Sequence, residues 1–108
     1  MATVYKVLGQ AAPAATTNTD LYTVPAGNSA VCSTLVVCNR STASSFRAAV
    51  RPSGATLANQ HYIAYDTYIN QNDSVFLTIG VTLAATDVVT VYSTSGNLSF
   101  SLFGSEIT

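Results

Sequence analysis

Apolar and polar positions alternate along most of this chain, in runs of five to eleven residues separated by Gly, Pro and Asn. That period of two is the signature of half-buried strands. "TVYKVL" places Val4, Lys6 and Leu8 on one face and Tyr5 and Val7 on the other. "DLYTV" predicts a short strand ended by the turn Pro25-Ala26-Gly27-Asn28. "SAVCSTLVVCN" predicts the longest strand, stopped by the polar residues from Asn39 to Ser45. "FRAAVR", closed by Pro52-Ser53-Gly54, and "HYIAYDTYI" predict the next two. After the turn "NQND" come "SVFLTIG", "ATDVVTVYS" and "LSFSLFG". In the last, Leu98, Phe100 and Leu102 share one face, and Ser99 and Ser101 the other. No segment has the 3.6-residue apolar period of a helix; "AAPAATTNTD" is broken by Pro13 and by β-branched Thr.

Eight short strands at regular spacing predict an all-β fold. The expected architecture is a single eight-strand antiparallel β-sandwich, jelly-roll or immunoglobulin-like. At 108 residues, residues 1–108 form one domain on length alone. Residues 1–19 are expected to supply an N-terminal strand and an arm, with Ala11–Thr19 either flexible or a long crossover loop.

The long third run carries apolar residues on both of its faces. Strict alternation puts Val31, Leu35 and Val37 on one and Cys32, Val36 and Cys38 on the other. A strand apolar on both sides is expected to be covered on both sides, by the core and by a neighbouring subunit. The two cysteines lie six positions apart on that strand, about 20 Å at the strand rise. That is too far for a disulfide, which needs Cα atoms within about 7 Å. With His61 the one further good ligand, a zinc site lacks its fourth. Both are therefore expected to be packed thiols.

Composition changes the picture in one respect. Charged residues are only 8% of the chain and the formal net charge is −1, while 48% of residues are hydrophobic. Disorder requires the opposite balance, so the chain should fold with a surface of Thr, Ser, Asn, Gln and Gly. Near-zero net charge weakens the repulsion between free copies and suits life in an assembly. Four basic residues cannot make a phosphate-binding patch, which argues against nucleic acid as a partner. No apolar run reaches membrane-spanning length, so no membrane partner is expected. "MATVYKVLGQ" lacks the basic region and apolar core of a secretory signal, so synthesis in a cytoplasm is expected.

Candidate chemistry is sparse. The five carboxylates, Asp20, Asp66, Asp73, Asp87 and Glu106, are scattered, and Asp73 and Asp87 fall in turns where they would cap backbone amides. No nucleophile elbow, phosphate loop, dinucleotide fingerprint or H-E-x-x-H motif is present. We expect no catalytic residue, cofactor or metal. "HYIAYDTY" gathers Tyr62, Tyr65 and Tyr68 with His61 and Asp66. Tyrosines so placed suit subunit docking or sugar stacking, or are simply good strand formers. Arg47 and Arg51 share a predicted face. They would reach a partner's carboxylates, or pair locally with Asp66 or Glu106.

Three stretches, "LYTVPAGNSAVCSTLVVCNRS", "FRAAVRPSGATLANQHYIAYD" and "IGVTLAATDVVTVYSTSGNLSFSLFGSEI", resemble a group of small β-sandwich proteins of tailed bacteriophages, cyanophage-like in style. The resemblance runs from Val4 to Ile107. Its motifs are structural: a T-V-P-A-G turn, an apolar strand ending in N-R-S, an L-T-x-G-x-T-L segment and a terminal L-S-F…F-G. It implies a non-enzymatic virion structural protein, with capsid decoration (cement) as the leading role and a tail or baseplate module that binds a receptor or host glycan as the alternative. The partners it implies are further copies of the chain, in a symmetric oligomer expected to be a trimer, and the major capsid protein.

Overall fold

The computed structural model describes residues 2–108. Eight strands form, β1 (Thr3–Ala11), β2 (Thr19–Thr23), β3 (Ser29–Asn39), β4 (Ser44–Arg51), β5 (Tyr62–Ile69), β6 (Ser74–Leu83), β7 (Val88–Ser93) and β8 (Leu98–Ile107). Two short 3₁₀ turns, Pro52–Gly54 and Asn59–His61, lie in the β4–β5 connection.

Strand pairing reads like a folded ribbon. β1 pairs with β8, β2 with β7, β3 with β6 and β4 with β5, all antiparallel. Folding that ribbon over brings β3 beside β8 and β4 beside β7. The results are a first sheet in the order β1-β8-β3-β6 and a second in the order β2-β7-β4-β5. This is the jelly-roll arrangement of two four-stranded sheets. The immunoglobulin alternative, four strands against three, does not fit it.

The core lies between the sheets, where Leu35 and Val37 of β3 meet Phe100 and Leu102 of β8, and Phe46 of β4 and Val91 of β7 close it from the second sheet. Phe46 and Phe100 meet edge to face at 6.1 Å across the two sheets. That geometry suits the ring quadrupoles and pins the sheets together. Leu98, Phe100 and Leu102 face inward together, as alternation predicts.

Alternation misplaces part of β3. Against β8, Cys32 pairs with Gly104 and Thr34 with Phe103, so Ser33 is an extra residue. A bulge of this kind breaks the two-residue period. Cys32, Leu35 and Val37 therefore all point inward and are fully buried, while Val31, Val36 and Cys38 face out and are half-buried. Both thiols are free. Burial pushes the Cys32 thiol up to about 11. Among the described residues no second layer lies over the outer side of β3.

The start of the chain is no free arm. β1 is hydrogen-bonded along β8 from Thr3 to Ala11, and Leu8 enters the core. Only the following residues cross between sheets, and Thr16 N–H there donates to the Ser93 carbonyl. Close packing is extreme at two glycines. A Cβ on Gly104 would lie 2.0 Å from the Val31 carbonyl oxygen, and one on Gly9 2.1 Å from that of Leu21.

Candidate functional site

The two outer faces of the sandwich differ in chemistry. On the second sheet, Arg47 projects from β4 between two rings. Its guanidinium carbon is 4.2 Å from the Tyr65 centroid and 4.5 Å from that of Tyr92. Its Nε donates to Asp66 Oδ1 at 2.6 Å. That hydrogen bond holds the guanidinium more firmly protonated than usual. Tyr62 continues the row, edge to face with Tyr65 at 4.8 Å. Asp66 reaches Arg47 because the chain turns through a positive φ of 49° there, within a bulge that sets Tyr65 and Asp66 of β5 against Arg47 of β4. Asn59, Tyr62 and Tyr65 line a shallow depression of about 380 Å³.

Arg51 lies on the same outer face, as the spacing predicts, but in a separate network. It donates to Asp20 at 2.8 Å, to Thr90 Oγ1 at 2.9 Å and to the Ala55 carbonyl at 3.0 Å. Its carboxylate partner is Asp20, whereas Glu106 serves Tyr22 and Lys6. Tyr68 stands exposed on β5, beyond the bulge from Tyr65. The structure thus gathers Arg47, Tyr62 and Tyr65, with Tyr68 and Arg51 to either side. Sequence spacing missed Tyr92, which β7 brings opposite Arg47. That pairing is long-range and leaves no local signal.

On the first sheet the outer face carries Tyr5 and Val7 from β1, Phe103 from β8, Val31 and Val36 from β3, and Phe76 from β6. Tyr5 is 84% and Phe76 70% exposed. Between them stand Ser and Thr side chains. Tyr5, Val31, Ser33 and Phe103 line a groove of about 530 Å³ whose remaining wall is Lys6, Gly104 and Ser105. Among the described residues, Lys6 is the one charged residue bordering this face, and its ammonium is drawn to Glu106 Oε1 at 3.5 Å. Every other charge sits at a turn, at an end of the sandwich or on the second sheet. Alternation in "TVYKVL" assigns Tyr5 and Val7 to one face; that the face is also uncharged emerges only when β1, β8, β3 and β6 are assembled.

At one end of the sandwich Tyr22 of β2 donates to Glu106 Oε2 at 2.6 Å, linking the sheets. The Tyr22 hydrogen bond, with help from Lys6, lowers the Glu106 carboxyl below its ordinary range. Burial and the same carboxylate hold the Tyr22 hydroxyl well above the usual phenol range. At the other end Asn39 is buried and ties the β3–β4 turn to the β5–β6 turn. Asp73 and Asp87 cap backbone amides as expected, on Ser74 at 2.8 Å and on Ser53 and Ala84 at 2.9 Å each. His61 is buried, and its Nδ1 accepts the Ala58 amide at 3.0 Å. Its role there is to close the β4–β5 connection. Among the described residues, no cluster of His, Cys, Asp and Glu is gathered that could hold a metal ion. Among the described residues, no helix is long and apolar enough to cross a membrane.

No protein-family model matches the chain, and neither a curated protein nor a solved structure matches it.

Proposed function

We propose that the protein is a non-enzymatic structural component of a bacteriophage particle, made in the host cytoplasm and incorporated into the virion as a capsid decoration protein. The observation that carries this reading is the outer face of the β1-β8-β3-β6 sheet. It is broad, bears exposed Tyr5 and Phe76, and among the described residues has one bordering charge, Lys6, which is drawn to Glu106. Depletion of charge with retained aromatics marks the centre of a docking surface. Such a face laid on the shell of major capsid protein excludes water without stranding an ion. Many copies, each with a modest contact, add up to a reinforced particle. The bacteriophage resemblance supplies the setting. Jelly rolls recur in capsid and lectin domains, but the fold alone does not assign a role.

A second reading rests on the other face. The Asn59, Tyr62 and Tyr65 depression, flanked by Asp66 and Tyr68, offers aromatic area and polar atoms to a sugar ring. It favours a tail or baseplate module that binds a host glycan. Copy number separates the two. Quantitative gel densitometry of purified particles should find hundreds of copies for the shell role. A few copies, or about a dozen, with glycan binding lost on Tyr65→Ala, would replace it with the tail role. A companion test is Tyr5→Lys, which should weaken attachment to particles while leaving the fold intact.

A further inference from the structure

A two-sheet sandwich has four edge strands, here β1 and β6 on one sheet and β2 and β5 on the other. Exposed edges present unpaired N–H and C=O groups, and proteins guard them with charges and bulges. Three edges follow that rule, with Lys6 in β1, Asp20 in β2 and Asp66 in β5. The fourth, β6, reads "SVFLTIGVTL", ten residues without a charge, its one bulge confined to Ile79 and Gly80 opposite Ser33. Its inward side chains Val75, Leu77, Ile79 and Val81 pack on the core but stay half-exposed, whereas Leu83 at its end is buried.

We propose that two copies of the chain join edge to edge through β6, antiparallel about a two-fold axis at Leu77, making one continuous eight-stranded sheet. The sequence of the strand selects a second copy as its occupant. About Leu77, Val75 meets Ile79 on the core side, Leu77 meets Leu77, and Phe76 meets Thr78 on the outer side. On the core side apolar residues face apolar ones, on the outer side each Phe76 lies against a neutral Thr78, and no charge is opposed, as an isologous contact requires. The bulge at Ile79 and Gly80, where Gly80 takes φ +57°, bends the strand at the end of this run and bounds the pairing to it. With a net charge of −1, the copies repel little.

The dimer also serves the proposed docking role, on which this second consequence rests. A four-stranded face of about ten residues per strand spans roughly 630 Å², from the strand spacing and rise. That falls short of the ~800 Å² per partner of a standard interface. Two such faces side by side exceed it.

The test uses the full chain in solution, without particles, so it stands apart from where the protein sits in a virion. Light scattering on a sizing column should give twice the 11.2 kDa chain mass at micromolar concentration. Phe76→Lys with Thr78→Lys sets like charges opposite each other twice and should weaken dimerisation by roughly tenfold or more. Phe76→Lys with Thr78→Glu restores opposite charges in this register alone and should recover the dimer. Both positions are exposed, so the melting temperature of the monomer should hold. Hydrogen exchange of the β6 amides should slow with protein concentration in the native chain. A monomer whose β6 exchange is independent of concentration overturns the proposal. So does a trimer, or a dimer that Tyr5→Lys dissociates and the double lysine variant does not.

Discussion

Asn39 is the polar group on which the β3 end of the sandwich depends most. It is 2% exposed. Its Nδ2 donates to the Thr42 carbonyl at 2.7 Å and the Asn70 carbonyl at 3.0 Å, with the Ile69 carbonyl at 3.4 Å. Its Oδ1 accepts the Ser41 amide at 3.1 Å. One side chain therefore holds the β3–β4 turn against the β5–β6 turn. Asn39→Ala leaves two carbonyls and one amide without this partner. At about 1 kcal/mol for each group left unmade, the loss is roughly 3 kcal/mol. For a domain near 100 residues that lowers the melting temperature by about 12 °C. Asn39→Asp keeps the acceptor but sets a carboxylate against carbonyl oxygens, so at neutral pH it should cost at least as much. Acidification should then rescue it in part, because a protonated carboxyl donates again. Thermal unfolding followed by circular dichroism at pH 7 and pH 4 reads both variants. A melting point for Asn39→Ala within about 2 °C of the native chain would refute the reasoning, as would an Asn39→Asp variant that is no worse at pH 7 than at pH 4.

Three further outcomes follow from the structure. Glu106 has its folded pKa lowered by Tyr22 and Lys6, so the stability it adds is present above the ordinary carboxylate value of about 4.3 and is lost as pH falls through the lower folded value. The native chain should melt above Glu106→Gln at pH 7, with the gap closing as pH falls through the lowered folded value; a gap independent of pH counts against that account. Gly104→Ala places a Cβ 2.0 Å from the Val31 carbonyl and should cost on the order of 3 kcal/mol by overpacking, read by chemical denaturation. Deleting residues 1–11 removes β1 and Leu8 from the first sheet, so the truncated chain should lose its cooperative melting transition; an unchanged transition would make that segment an arm after all.

Eight strands, their order along the chain and an all-β sandwich follow from the sequence, because a two-residue apolar period is a local property. The same holds for Leu98, Phe100 and Leu102 on a common inner face and for the amide caps of Asp73 and Asp87. Choosing a jelly roll over an immunoglobulin-like sandwich took the pairing of β1 with β8 and β2 with β7, contacts between opposite ends of the chain that no local pattern encodes. The Ser33 bulge was equally hidden, since an extra residue exists only relative to a neighbouring strand, and it reversed the side on which Cys32 stands. The candidate sites divide in the same way. The tyrosine cluster and the arginine pair are legible in sequence, but the Tyr92 ring opposite Arg47, the outer face of the β1-β8-β3-β6 sheet and the place of the charge-free β6 at a sheet edge arise only when distant strands are brought side by side.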